Sequence, residues 1–283
     1  MKKIGFVDYY ISEWHADNYP AWIEKASKEL NLDMKVCYAW AEKDVSEVDG
    51  KTTDTWCAEK GITRVGTIEE LCEKSDYILI LAPSNPETHL RYAEIALKYG
   101  KPTYIDKTFA PDYETAKKIF EIAQNNGTKF FTTSALRYSD EFADYDGACE
   151  TVTVLGSGAS VEEYVIHQVE MLVKCMGVGA EKLRGIHNGD QHVYNIIYKD
   201  GRSANLIFCS HYGTPAAFIP FKEDGKSKYI QVSSDFFANL MKSILNFYNT
   251  VEVPFDSNQT LEVMKIRDGV IKSLDCSEKW ITL

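Results

Sequence analysis

The first half of this 283-residue chain alternates short apolar runs with segments of helical spacing, and this alternation constrains the fold most strongly. The apolar runs long enough for strands are KIGFV, MKVCYAW, DYILILA, PTYID and KFFTTSA. The segments between them, such as PDYETAKKIFEIAQNNG, repeat apolar residues with the period of a helix. Thr67 and Asp112 are predicted to cap two of these helices. Strands that alternate with helices form a parallel sheet covered on both faces. The sequence therefore predicts an α/β domain with a doubly wound parallel sheet over residues 1–134.

The second half of the chain has a different pattern. Asp-Gly turns at 199–202 and 223–226 lie between strand-like runs, which is a strong hairpin signal. The runs YNIIY, SANLIF, AFIPF and KYIQV are expected to form a largely antiparallel sheet. One helix precedes this sheet and two close the chain. We therefore expect an α+β domain over residues 135–283, with an open-faced sheet that makes a homodimer or homotetramer contact.

Composition and charge argue against several classes of function. The formal net charge of −11 disfavours a nucleic-acid or anionic-membrane partner, because phosphate binding needs an excess of Lys and Arg. No apolar run has the length of a membrane span, and no signal-peptide pattern opens the chain. The seven cysteines are dispersed, which is typical of reduced thiols, so we expect a cytoplasmic protein. Neither the cysteines nor the histidines have ligand spacing, so no metal site is predicted.

One long stretch of the chain resembles a known family. The segment LAPSNPETHLRYAEIALKYGKPTYIDKTFAPDYETAKKI is similar to the Gfo/Idh/MocA family, which includes glucose-fructose oxidoreductase and inositol dehydrogenase. The distance from His89 to Gly100 matches the family spacing, and Asp106, Lys107 and Thr108 stand where that family has Glu-Lys-Pro. Threonine in place of the family's proline is expected to remove any tendency to a cis bond.

A second family signature lies in the helix of the second half. The family has an acid, a histidine four residues on and another acid three beyond, which matches Glu163, His167 and Glu170. The closing segment TVEVPFDSNQTLEVMKIRDGVIKSLDCSEKWITL is also similar. The resemblance implies a Rossmann-like first domain, NAD or NADP as cofactor, and a sugar, polyol or related hydroxy compound as substrate.

The family's glycine-rich loop is absent from the turn after the first strand. In FVDYYISEW, the side chains of Asp8, Tyr10 and Glu13 replace the three glycines. At about 4 Å and an effective dielectric near 20, the Asp8 charge would repel a phosphate by on the order of 4 kcal/mol. The next helix is predicted to begin only at Pro20, which would leave fewer amides for an anion. We therefore expect weak dinucleotide binding or none.

Lys107 is the first candidate for catalysis. It follows the strand PTYID, at the edge where ligands of open α/β sheets collect. A lysine there can hold a substrate hydroxyl and exchange a proton with it. The alternative is a solvated loop lysine.

Glu163 and His167 are the second candidate pair. They share one face of a helix with Glu170, and a carboxylate one turn before an imidazole can fix its tautomer. The alternative is a solvent-exposed polar face with an i,i+4 pair. The resemblance favours catalysis by Lys107, His167 and Glu163, although Glu163 departs from the shorter Asp that is commoner in the family.

The resemblance also implies binding residues. The predicted substrate residues are Arg137, Tyr138 and Glu170, although Arg137 could equally be one half of a structural ion pair. The predicted cofactor contacts are Asp8, Tyr10, Ser84, Asn85, Asp106 and Lys107.

Three functions are compatible with these features. The first is a Gfo/Idh/MocA-type oxidoreductase, in which Lys107 and His167 handle a hydroxyl proton while a nicotinamide takes the hydride. The second is a small-molecule-binding or regulatory protein that has lost dinucleotide binding. The third is a non-redox enzyme that uses Lys107 and His167 for acid/base chemistry.

Overall fold

The first sheet has six parallel strands, as the alternating pattern predicts. The strands are β1 (Lys2–Asp8), β2 (Met34–Ala41), β3 (Thr63–Arg64), β4 (Tyr77–Ile80), β5 (Thr103–Ile105) and β6 (Phe130–Phe131). Their spatial order is β3-β2-β1-β4-β5-β6, so the direction of winding reverses between β1 and β4. Ligands of such sheets bind outside the carboxyl ends of the strands at this reversal. The fold therefore directs attention to the residues after β1, β4 and β5.

Five helices connect these strands. They are α1 (Trp14–Glu29), α2 (Thr53–Lys60), α3 (Ile68–Lys74), α4 (His89–Ala96) and α5 (Tyr113–Asn126). Two predicted caps are confirmed: Thr67 Oγ1 accepts from the Glu70 amide at 3.1 Å, and Asp112 Oδ1 accepts from the Thr115 amide at 2.7 Å. The predicted start of the first helix at Pro20 was wrong. The helix begins at Trp14, because the Glu13 side chain caps it, and Pro20 lies inside.

The second sheet has seven strands and is largely antiparallel, as predicted. Its elements are β7 (Thr151–Gly156), α6 (Val161–Met176), β8 (Ala180–Asn188), β9 (Gln191–Tyr198), β10 (Ser203–Cys209), β11 (Ala216–Pro220) and β12 (Ser227–Gln231), followed by α7 (Phe236–Thr250), α8 (Ser257–Ser273) and β13 (Trp280–Thr282). The strand order is β12-β11-β7-β10-β9-β8-β13. Both Asp-Gly segments join antiparallel neighbours, β9 to β10 and β11 to β12. Helices α6 and α8 pack on one face of the sheet.

The computed structural model describes residues 1–147, 149–211 and 213–283. The chain divides into a first unit, Met1–Thr133 with Ala238–Phe255, and a second unit, Ser134–Phe237 with Asp256–Leu283. The sequence analysis places all of residues 135–283 in one domain, whereas most of α7 packs with the parallel sheet. Tyr248 anchors it there: its hydroxyl donates to the Ile78 carbonyl at 2.7 Å, and its ring stacks on Tyr77.

Candidate functional site

Asp8 ends β1 and is fully buried in the first unit. Its Oδ1 accepts from the amide of Tyr9 at 2.7 Å and from the amide of Ala82, after β4, at 3.0 Å. Burial raises the pKa of the Asp8 carboxyl well above its ordinary value, and the nearby Glu13 carboxylate raises it further. Asp8 thus connects the ends of two central strands, β1 and β4. Its raised pKa also weakens the charge repulsion that Asp8 would exert on a phosphate.

Glu13 occupies the amino terminus of α1. Its Oε2 accepts from the amide of His15 at 2.9 Å, and its Oε1 accepts from the amide of Ala16 at 2.5 Å. Amides in the first turn of a helix have no partner within the helix, and they are the groups that normally bind a phosphate. In this chain a buried carboxylate of the protein holds them.

His15 links this helix end to the end of β5. Its Nδ1 lies 3.2 Å from Glu13 Oε2, and its Nε2 lies 3.7 Å from Asp106 Oδ2. Asp106 also accepts from the hydroxyl of Tyr104 at 3.2 Å, with the Tyr19 hydroxyl at 3.5 Å. Burial raises the pKa of Tyr19 well above its ordinary value, and Asp106 adds to the effect. The His15 imidazole therefore lies between two carboxyl groups, those of Glu13 and Asp106, and each of them can accept a proton or a hydrogen bond.

This cluster is not evident from the sequence. His15 lacks the spacing of a metal ligand, and Glu13 stands where the related family has a glycine, so neither residue indicates the other. Glutamate is a less common helix cap than Ser, Thr, Asp or Asn, so its residue type does not mark a helix start. In the part of the chain that the structure describes, no group of three or more His, Cys, Asp or Glu side chains is arranged to hold a metal ion.

Lys107 follows Asp106 and is only 8% exposed. Within residues 1–147, 149–211 and 213–283, its ammonium group has no hydrogen-bond or ion-pair partner. The adjoining Thr108 hydroxyl and Asp106 Oδ2 are also buried without a hydrogen bond to any described residue. The expectation about Thr108 was wrong, since the Lys107–Thr108 peptide bond is cis. A lysine is seldom this deeply buried without an ion-pair partner, and its place directly after β5 suits a contact with a ligand.

His89 positions the loop that carries Lys107. The imidazole is fully buried, with Nε2 2.6 Å from the Leu81 carbonyl oxygen and Nδ1 3.0 Å from the Phe109 carbonyl oxygen. Burial lowers the pKa of His89, which favours the neutral ring. His89 therefore joins the segments after β4 and β5, and its contacts give it a structural role.

The other predicted cofactor residues lie on the turns after β1 and β4. Tyr10 is half-buried, with its ring centroid 5.7 Å from that of Tyr9. Ser84 is exposed, and the Asn85 side-chain amide donates to Glu87 at 3.2 Å. Asp8, Tyr10, Ser84, Asn85, Asp106 and Lys107 thus all belong to the first unit, on turns that follow β1, β4 and β5.

The second unit holds the remaining predicted residues. His167, on α6, is half-buried, and its Nδ1 lies 2.7 Å from Ser134 Oγ, a hydrogen bond that the sequence did not predict. Glu163, one turn earlier, is also half-buried, and its amide donates to Ser160 Oγ, the cap of α6. The role predicted for Glu163, to fix the His167 tautomer, stays a prediction.

Arg137 and Glu170 form a buried ion pair. Arg137 Nε donates to Glu170 Oε1 at 2.6 Å, and the two side chains are 3% and 5% exposed. Glu170 Oε2 also accepts from the Ser134 amide at 3.3 Å, and Arg137 donates to Gln259. The structure therefore supports the structural alternative for Arg137. The predicted substrate-binding roles of Arg137, Glu170 and the half-buried Tyr138 stay predictions.

Comparisons with known proteins identify the fold. A probable dehydrogenase from Thermotoga maritima superposes with a TM-score of 0.79 at 11% identity, over 99% of this chain and 98% of that one. An apo scyllo-inositol dehydrogenase from Lactobacillus casei gives a TM-score of 0.73 at 15% identity, over 99% and 98%. GenD2 from gentamicin A biosynthesis, in complex with NAD, gives a TM-score of 0.75 at 11% identity, over 100% and 97%. The chain has the fold of these dehydrogenases.

The comparisons of sequence cover less of the chain than the comparisons of structure. No family model matches the chain. The uncharacterized oxidoreductase YhhX of Escherichia coli K12 is 26% identical over 127 residues, which is 44% of this chain and 36% of that protein. The fold implied by the Gfo/Idh/MocA resemblance is confirmed, and membership of that family stays a prediction. None of the helices in the described residues is long and apolar enough to cross a membrane.

A nicotinamide dinucleotide is the cofactor that the fold implies, and the turn after β1 does not fit its pyrophosphate. The amides at the start of α1 are bonded to Glu13, and the end of β1 carries a buried carboxyl in place of glycine. The acid after β2 that would bind a ribose is present as Glu42. It already accepts from the Tyr92 hydroxyl at 2.7 Å and from the Arg91 guanidinium.

Proposed function

We propose that this protein is an enzyme that acts on a hydroxyl group of a sugar, a polyol or a related compound by acid/base chemistry at Lys107. The observation that carries this proposal is the position of Lys107, a residue that is 8% exposed at the carboxyl end of β5 and whose amine has no partner among the described residues. Its position supports a role in holding and exchanging the proton of a bound hydroxyl.

The surrounding side chains also favour a neutral, hydroxylated ligand. Asp106 Oδ2 accepts no hydrogen bond from a described residue, and a carboxylate oxygen can accept from the hydroxyl groups that sugars and polyols offer. The whole chain carries a net charge of −11, which disfavours a phosphorylated or otherwise anionic substrate. The half-buried rings of Tyr9 and Tyr10 would suit the apolar faces of a sugar ring.

A nicotinamide-dependent oxidoreductase is the second candidate. The dehydrogenase fold and the similarity to the oxidoreductase YhhX support it. The Glu13 cap on α1 counts against it, so we rank it below acid/base chemistry without a dinucleotide. A binding or regulatory protein is the third candidate, and it would bind the same ligands without converting them.

His167 is proposed as a second acid/base residue. The hydrogen bond between its Nδ1 and Ser134 Oγ orients the imidazole, a group that can both give and accept a proton. Loss of turnover in His167→Ala with normal folding would support this role, and wild-type turnover would exclude it.

The experiment is a binding and conversion screen. Calorimetry against inositols, hexoses and other neutral polyols should find a ligand for the wild type, and Lys107→Met should weaken its binding by about tenfold or more. Lys129→Met, which alters an exposed lysine of the same unit, is the matched control. Equal binding by Lys107→Met and the wild type would contradict the proposal.

Product analysis then separates the candidates. Each bound compound is incubated with the protein, with and without NAD(P), and the products are identified by mass spectrometry. A product lighter by H2 would indicate oxidation. Loss of water, or a rearranged product of unchanged mass, would indicate acid/base chemistry, and a binding protein would form no product.

A further inference from the structure

We propose that Glu13 is the residue that excludes dinucleotides from this fold's phosphate site, because its carboxylate occupies the amides that a pyrophosphate would bind. This inference goes beyond the proposed function and does not depend on the identity of the substrate.

The geometry of Glu13 imitates that of a bound anion. One carboxylate oxygen accepts from the His15 amide at 2.9 Å, and the other accepts from the Ala16 amide at 2.5 Å. Two oxygens of one anionic group on successive amides of a helix start is the arrangement by which such a site holds a phosphate. Glu13 is 7% exposed, so a phosphate could reach these amides only by displacing a buried carboxylate.

Other amides of the same turn are also engaged. The Tyr9 amide donates to Asp8 Oδ1 at 2.7 Å, and the Glu13 amide donates to the Ile11 carbonyl at 3.0 Å. A displaced Glu13 would also lose its contact with His15 Nδ1 at 3.2 Å. The turn is therefore held together by internal acceptors at the positions where glycine would leave open backbone.

The charges around the turn oppose an incoming anion. Asp106 lies on the far side of His15, 3.7 Å from Nε2, so the imidazole already faces two acids. A basic side chain, Lys43, does lie beside the turn: its Nζ is 4.8 Å from the centre of the Tyr9 ring. Lys43 pairs with Glu47, so its charge is already partly neutralised.

The test is a fluorescence titration with NADH and NADPH on the full chain. Wild type should show no saturable binding below about 1 mM, and Glu13→Ser should bind at least about tenfold more tightly, a gain of about 1.4 kcal/mol. Serine is a good helix cap, so this change removes the carboxylate while it preserves the start of α1. Glu24→Ser alters an exposed acid of the same helix by the same charge, and it should leave the affinity unchanged.

Two results would overturn the inference. One is a wild-type Kd for NADH or NADPH below about 10 µM. The other is a Glu13→Ser variant that melts like the wild type and gains no more affinity than Glu24→Ser. If Glu13→Ser does not fold, Glu13→Gln, which keeps the length and one acceptor oxygen, must gain affinity over the wild type, and its failure to do so contradicts the inference.

Discussion

Glu13 Oε2 lies 3.2 Å from His15 Nδ1, and it also accepts from the backbone amide of the same residue. One carboxylate oxygen therefore sets both the first turn of α1 and the orientation of the imidazole. The opposite ring nitrogen faces Asp106 at the end of β5. The arrangement places acid/base groups where relatives of this fold with a glycine-rich turn would have open backbone for a phosphate.

We expect Lys107→Met to stabilise the protein while it removes activity. The residue is 8% exposed and its amine has no partner among the described residues, so an apolar side chain of similar length keeps the packing of the buried stem and breaks no polar contact. The melting temperature should rise by about 2–4 °C, the shift for about 1 kcal/mol in a chain of this size. Differential scanning calorimetry of the wild type and Lys107→Met measures this shift in melting temperature.

Lys101→Met is the matched control for that measurement. Lys101 Nζ donates to the carbonyls of Cys72, Glu73 and Ser75, so its loss leaves buried acceptors without a donor and should lower the melting temperature. A fall for Lys107→Met as large as that for Lys101→Met would show that Lys107 is structural.

Glu170→Ala should destabilise the protein by about 3–5 kcal/mol, because it leaves the buried Arg137 guanidinium without its carboxylate. Urea denaturation measures this loss. The double variant Arg137→Met, Glu170→Leu should recover much of it, since neither charge then remains buried. A cost below about 1 kcal/mol, as expected for the exposed pair Glu24 and Lys28, would contradict the structural role.

The protein should become less stable as the pH rises, because the buried Asp8 carboxyl then loses its proton. Burial raises its pKa in the folded state, so the folded protein holds more protons than the unfolded chain above about pH 4. Stability is therefore lost as the pH rises from that value through the folded pKa. Asp8→Asn keeps an acceptor for the amides of Tyr9 and Ala82 and removes this titration.

Melting curves between about pH 5 and pH 8 test this linkage. The melting temperature of the wild type should fall relative to that of Asp8→Asn over this range. Parallel pH dependence of the two proteins would show that Asp8 does not titrate as proposed.

The outer face of the second sheet should form a homo-oligomer. Ile186, Phe218 and Trp280 are 39%, 41% and 46% exposed on its strands. Light scattering at micromolar concentration should show a dimer or tetramer, and Ile186→Glu should shift it toward monomer. Val48→Glu, on an exposed turn of the first unit, should leave the mass unchanged. A monomeric wild type would contradict this prediction.

Much of the fold followed from local patterns. Apolar runs and Asp-Gly turns identified most strands, and Thr67 and Asp112 marked two helix starts correctly. The short strand β3 and the edge strand β13 were missed, because neither has a distinct apolar period. The return of α7 to the first unit depends on the contact of Tyr248 with Ile78, a tertiary interaction with no local signature.

The candidate site was less predictable. Lys107 and Asp106 were found because they follow a clear strand, and the burial of both residues could be seen only in three dimensions. The start of α1 was misplaced because proline suits a first helical turn better than glutamate suits a cap. The role of His15 could not be predicted, because its contacts with Glu13 and Asp106 form only in the folded structure.

The most direct test of the account is a nitrogen-15 NMR titration of the wild type with NADH, observing the amides of His15 and Ala16. These amides donate to Glu13, so the account predicts that their resonances stay in place while millimolar NADH is added. A selective, saturable shift of both amides would show that a phosphate reaches the start of α1, and it would contradict the central claim.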